Sequence, residues 1–195
     1  STHLDLVKNA LPDNSPKLKN YEHIKSNIKR IGEIVGQLLD IYRAPTQERT
    51  DLNINQIIRQ VISFVDYRSR TQGVEVVAKL SKNLPAIKGW KQQIHQVILN
   101  LILNALENIP GKGKITIATS RENDWLVIKV QDTGKGIPKE DAKHIFDPFF
   151  STKKESGVGL GLFVCKGLVK NHNGEIFLRT KEGKGSTFTI KLQGD

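Results

Sequence analysis

The chain has 195 residues, 37% hydrophobic and 26% charged, a profile that excludes a disordered polymer and suits one domain plus an added element. No run of about 18 apolar residues occurs, so nothing in it reads as a membrane-spanning helix, and no membrane contact is expected of it. The net charge of +10 comes mostly from scattered lysines without interleaved aromatics, which argues for a solvated surface and against nucleic acid as the partner.

Residues 1–45 read as helical. Leu4, Leu6, Val7 and Leu11 suit a short helix, and Pro12 to Pro16 reads as the turn after it. Tyr21, Ile24, Ile28, Ile31, Val35, Leu38 and Tyr42 then alternate steps of three and four, the seam of a coiled coil or helical bundle, and Leu39 and Ile41 widen it. Two such helices are half of a four-helix bundle, so a homodimer is expected to complete it; the alternative is a long helix packed on its own domain. Residues 46–52 read as a linker and 53–195 as a second unit. Helices are expected over 54–65, 94–109 and 160–171. Strands are expected over 74–80, 114–119, 126–131, 175–180 and 186–192, with a short one at Ala86-Ile87. Helices and strands mix without regular alternation, so the expected fold class is α+β, a sandwich rather than a doubly wound sheet. The lone Cys165 lies in an apolar helix and reads as a small core residue, in keeping with a reducing compartment. The absence of Met and the initial Ser suggest a piece of a longer protein.

Candidate chemistry concentrates after residue 92. On the 94–109 helix, Asn100, Asn104, Glu107 and Asn108 share one side, opposite a broad apolar face. Asparagine is unfavourable within a helix, so two of them one turn apart suggest oxygens held for a hard cation such as Mg²⁺; plain helix surface is the alternative. Asp132-Thr-Gly134-Lys-Gly136-Ile137-Pro138 follows a strand and sets a carboxylate beside bare backbone, although a simple Asp-x-Gly turn reads the same way. Gly157-Val-Gly159-Leu160-Gly161-Leu162 opens a helix, where backbone amides can approach phosphate. It lacks the βαβ setting of a dinucleotide fingerprint and the Gly-Lys-Ser/Thr of a P-loop. Ser151 to Ser156 is polar enough for a lid from which Lys153 or Lys154 could reach a triphosphate. Ahead of it, Phe146, Phe149 and Phe150 are either an aromatic anchor or ordinary core.

The order and spacing of these stretches resemble the GHKL superfamily, with its Bergerat-type α/β sandwich, and within it the sensor histidine kinases of two-component systems. Asn100-Leu-Ile-Leu-Asn104 looks like the N box, and Asp132 to Pro138 like the first glycine box. Phe146 to Phe150 is similar to the F box, Gly157 to Leu162 to the second glycine box, and Gly183 to Phe188 to the third glycine motif. Residues 31–43 look like the second helix of a dimerisation and histidine-phosphotransfer domain. The resemblance implies that Asp132 binds the adenine amino group and that Gly136 lets the base approach. Asn104 with Asn100 would hold Mg²⁺, and a lid lysine with Gly159, Gly161 and Leu162 would line the phosphates. Thr187 would support the adenine-side carboxylate or its water, and Gly134, Ile137, Phe150, Thr152, Gly157 and Leu160 would complete the ATP and ADP contacts. It implies a cytoplasmic kinase that transfers the γ-phosphoryl group to a histidine for relay to a response-regulator receiver domain.

Hydrolytic superfamily members carry a glutamate one turn before the metal-binding asparagine, as general base. Asn100 stands there, which favours transfer over hydrolysis. The rivals are a GHKL ATPase, an anti-sigma-type serine kinase and a dimerisation module without turnover. None of His3, His23, His95, His144 and His172 matches the family's acceptor pattern, so the acceptor histidine is expected upstream of Ser1.

Overall fold

The computed structural model describes residues 8, 15, 17–42, 48–152 and 158–194. Leu4, Leu6, Val7 and Leu11 of the expected first helix, its turn apart from Ser15, the first two residues of the expected linker, Lys153, Lys154 and Gly157 lie outside the described residues.

A long helix, α1 (Lys17–Tyr42), leads into a two-residue strand β1 (Thr50–Asp51) and helix α2 (Ile54–Thr71). The Asn53 side chain caps α2 by accepting the Gln56 N–H at 3.0 Å. Helix α2 runs six residues beyond the expected end at Val65, with Ser69 buried in its last turn and the Gln72 N–H closing it on the Arg68 carbonyl at 3.2 Å. Strands β2 (Val74–Leu80) and β3 (Lys88–Gly89) precede helix α3 (Lys91–Asn108), and strands β4 (Gly113–Glu122) and β5 (Trp125–Asp132) form a hairpin. A single-turn helix α4 (Lys139–Ala142) precedes helix α5 (Gly161–Asn171), and the hairpin of β6 (Glu175–Thr180) and β7 (Ser186–Gln193) closes the chain.

The main sheet has the order β2-β4-β5-β7-β6. Only β2 and β4 pair in parallel, joined through α3; every other neighbour is antiparallel. This is the expected mixed sheet, with a single β-α-β crossover inside it. Helices α2, α3 and α5 cover one face, and their apolar sides meet strand residues such as Ile115, Ile117, Ile128 and Ile190 in one continuous core. Cys165 is part of that core; burial pushes its thiol up to about 12, so it is an inert packing residue as expected.

A second, two-stranded sheet pairs β1 with β3 and fastens the linker to the domain. The expected strand at Ala86-Ile87 falls two residues later, at 88–89. Behind it His172 is buried at the end of α5. Its Nδ1–H donates to the Leu168 carbonyl at 2.8 Å, and its Nε2 accepts the Trp90 backbone N–H at 3.0 Å. Gly89 has no side chain because a Cβ there would overlap the imidazole. Arg49 lies over the Trp90 ring, 5.2 Å from its centroid, which extends the stack into the linker.

Helix α1 contacts α5, with Tyr21 buried, while Ile24, Ile28, Ile31, Val35 and Leu39 stand about half exposed. The seam is therefore an open apolar stripe over most of its described length. Among the described residues no helix is long and apolar enough to cross a membrane.

Candidate functional site

Helix α3 brings its polar side to a cavity of about 530 Å³ that opens between α3, the 135–138 turn, the aromatic stretch before the lid and the start of α5. The apolar side of α3, from Ile94 through Leu106, is locked into the core, so the rotation of the helix is fixed and Asn100, Asn104, Glu107 and Asn108 must face the cavity. Asn100 is already positioned: its Oδ1 accepts from Gln96 Nε2 at 3.2 Å and its Nδ2 donates to the Gly161 carbonyl at 3.4 Å. The N-box helix and the second glycine box are thus joined through one amide.

Asp132 ends β5 at 2% exposure. Its Oδ1 accepts the Gly134 N–H at 2.8 Å and the Ser186 N–H at 3.3 Å. Burial nevertheless raises its pKa above the ordinary carboxylate value, outweighing those two bonds, which lower it. A buried carboxylate that stays costly despite two donors is suited to a further donor from a ligand.

The glycines work by close approach. Gly136 has φ 70°, and a Cβ there would overlap the Lys181 carbonyl across the turn. Gly159 has φ 72°, and a Cβ there would meet the Phe149–Phe150 backbone. Gly161 is the first residue of α5, so the amides at the start of that helix face the cavity with the positive end of its dipole.

Of the expected residues, Asn100, Asn104, Gly136, Ile137, Phe150, Thr152, Gly159, Leu160, Gly161 and Leu162 line one cavity. Asp132 and Gly134 lie behind its wall, linked to each other and to Ser186. Thr187 is not brought there. Strand residues alternate faces, so the Thr187 side chain stands on the open side of the sheet, across from Gln131, and the bond to Asp132 comes from the backbone N–H of its neighbour Ser186. Ser186 is held in turn by Thr180, whose Oγ1 lies 3.0 Å from Ser186 Oγ and accepts the Ile137 N–H at 2.8 Å. Neither Ser186 nor Thr180 is marked by the sequence, because one contributes its backbone N–H and the other acts across the hairpin.

The aromatic stretch divides its roles. Phe146 packs edge-on against Phe188 with centroids 6.4 Å apart, as core, whereas Phe150 lines the cavity and Phe149 is exposed with φ 65°. Leu103, Lys135, Pro138, Ile145, Val158 and Phe188, which the motif stretches contain without a role of their own, also line it, as do Asp141 and Glu182. Glu107 is ion-paired with Arg68 of α2 at 3.6 Å. Among the histidines, His144 pairs with Asp147 at 2.8 Å, His23 is exposed on α1, and His172 is the buried support described above; His3 lies outside the described residues. Among the described residues no group of three or more His, Cys, Asp or Glu is placed to bind a metal, so the candidate cation ligands are the asparagine oxygens.

A buried acceptor just behind the wall, amide oxygens along α3 and helix-start amides at α5 suit a polyanion that carries an amine-bearing base. Residues 90–195 match the family model described as histidine kinase-, DNA gyrase B-, and HSP90-like ATPase. Sporulation kinase C of Bacillus subtilis is 35% identical over 194 residues, which cover 98% of this chain and 44% of that protein. Sensor histidine kinase ZraS of Escherichia coli is 34% identical over 84% of this chain and 35% of its own. The chain thus spans less than half the length of these relatives. Among solved structures, the catalytic domain of histidine kinase ThkA, nucleotide-free, superimposes with a TM-score of 0.69 at 29% identity, covering 75% of this chain and 96% of that one. ThkA in complex with the response regulator TrrA superimposes with a TM-score of 0.73 at 25% identity, over 100% of this chain and 56% of that chain.

Proposed function

The chain belongs to the histidine kinase-, DNA gyrase B-, and HSP90-like ATPase family, and on that premise we propose that it is the ATP-holding catalytic part of a sensor histidine kinase of a two-component system. Asp132 accepts the adenine amino group, with Ser186 and Thr180 fixing the carboxylate. Gly136 and Ile137 admit the base. Gly159, Gly161 and Leu162 line the phosphates, and Lys153 or Lys154 is the lysine assigned to them.

The donor set fits a magnesium ion: the carbonyl oxygens of Asn100 and Asn104 are hard ligands, two are enough for an ion that keeps water and phosphate oxygens, and the Gln96 contact leaves Asn100 Oδ1 a free lone pair. A magnesium ion held by Asn100 and Asn104 would supply positive charge against the phosphates during phosphoryl transfer. The chain's own contribution is to position the triphosphate and exclude water.

One observation carries transfer over hydrolysis. The residue one turn before Asn104 is an amide, held by Gln96 and the Gly161 carbonyl, and an amide cannot take a proton from water. The acceptor is a protein histidine on a partner helix, and the phosphoryl group then passes to a receiver domain. ThkA is seen with such a response regulator, which supports that partner class. The half-exposed seam of α1 supports a homodimer through a four-helix bundle.

Titration with ATP, with and without Mg²⁺, tests this reading. The wild type should bind ATP more tightly with the metal, and Asn104→Ala should remove the metal's contribution while leaving metal-free binding unchanged. The 195-residue chain with labelled ATP should form no stable phosphohistidine and release little phosphate. Rapid phosphate release would identify a hydrolase, and no ATP affinity would leave only a dimerisation module.

A further inference from the structure

Glu107 stands at an unfavourable place. It lies in the last turn of α3, where the helix dipole is negative, and that turn carries no basic residue. It also lines a cavity read as holding a triphosphate, which a carboxylate repels. The fold offsets both with Arg68, brought from the end of α2 to 3.6 Å. A carboxylate has about four acceptor sites over its two oxygens, so one held by an arginine can still take a ligand's donors.

The position of Glu107 along α3 identifies that donor. Midway along α3, Asn100 ties the helix to the second glycine box through the Gly161 carbonyl, the phosphate end. At its finish, the Asn108 carbonyl accepts the Lys135 N–H at 3.1 Å, and Gly134, one residue earlier, is bonded to Asp132, the adenine end. Glu107 is three residues, roughly 4.5 Å of helix rise, beyond Asn104 toward the adenine end. That level, between base and phosphates, is where a nucleotide carries its sugar. A carboxylate is the natural acceptor for a pair of vicinal hydroxyls, as in sites that read ribose with an acidic side chain.

We propose that Glu107, oriented and charge-balanced by Arg68, accepts the ribose hydroxyls of the bound nucleotide and makes the site selective for ribonucleotides over deoxyribonucleotides. The proposal rests on the nucleotide reading above. Glu107 is the specificity-determining group, and Arg68 is a positioning residue that acts through it.

Calorimetric titration of the 195-residue chain with ATP, 2′-deoxy-ATP and 3′-deoxy-ATP, at fixed Mg²⁺, tests it. The wild type should prefer ATP over at least one deoxy analogue by about tenfold, as expected when a charged acceptor loses its donor. In Glu107→Ala the affinity for ATP should fall to that for the deoxy analogue, whose own affinity stays at its wild-type value. Glu107→Gln, which keeps the shape and one acceptor, should retain part of the preference. Arg68→Ala should narrow the ratio of the two affinities, a change that a merely structural role for the ion pair would not produce. Equal wild-type affinity for ATP and both analogues, or an unchanged ratio in Glu107→Ala, overturns the ribose assignment while leaving ATP binding standing. Failure of the wild type to bind ATP at all overturns the nucleotide reading itself.

Discussion

Asp132→Asn separates the chemistry of the site from the stability of the fold. The two backbone donors, Gly134 N–H at 2.8 Å and Ser186 N–H at 3.3 Å, meet one carboxylate oxygen, and the asparagine carbonyl can keep both. The other oxygen becomes an NH₂ group facing the adenine amine, donor against donor. Losing a charge-assisted acceptor costs about 1.5–3 kcal/mol, and the unpaired donor adds about 1–3 kcal/mol, so a net loss of roughly 3–5 kcal/mol is expected, about two to three and a half orders of magnitude in Kd. Stability should move the other way or not at all. Burial holds the folded pKa of Asp132 above its ordinary value of about 3.9, so the ionised form is a destabilising presence at neutral pH, and that cost appears as pH rises through the raised value. The neutral amide carries no such cost. Calorimetry should show ATP binding lost with an equal or higher Tm. Inosine triphosphate, whose base presents an oxygen in place of the amine, should bind the variant better than the wild type. Unchanged ATP affinity, or equal loss of both nucleotides, would refute the adenine assignment.

Three other outcomes follow from the same geometry. Gly136→Ala must hold a left-handed backbone and overlap the Lys181 carbonyl, so thermal unfolding should report a loss of about 2 kcal/mol or more, and ATP affinity should fall at least tenfold; a neutral result would mean that the turn is not a rigid wall. Burial, outweighing the Leu168 contact, and the nearby Arg49 depress the pKa of His172, so the folded state binds fewer protons there than the unfolded chain. Denaturant midpoints should hold above about pH 6.5 and decline as pH falls from there toward the depressed value, and His172→Ala should flatten that slope; identical slopes in both proteins would count against the latch on Trp90. Ile28→Asp with Ile31→Asp should convert a dimer to a monomer in sedimentation equilibrium while ATP binding persists; a wild type that is monomeric at tens of micromolar would remove the bundle.

Much of the molecule was legible because its signals are local. The apolar stripe from Ile94 to Leu106 fixed α3 and turned Asn100 and Asn104 outward, and strand alternation located β4, β5 and β7 to within a few residues. The glycine stretches marked close approaches that Gly136 and Gly159 both make. What sequence could not supply were contacts between distant segments. The Ser186 N–H meets Asp132 because β7 registers on β5 with Thr187 across from Gln131, which sets the backbone of Ser186 beside the end of β5, while the Thr187 side chain turns to the open face. Arg68 and Glu107 are 39 positions apart and meet only because α2 packs beside α3. The pairing of β1 with β3 and the support of Trp90 by His172 involve segments too short or too far apart for any periodicity to reveal. The sequence by itself determined the elements and the roster of polar groups, since hydrophobic period and backbone freedom are properties of neighbouring residues. The tertiary structure decided which groups share a cavity, which carboxylate is buried and which is balanced by an arginine, since burial and charge pairing exist only after the layers have packed.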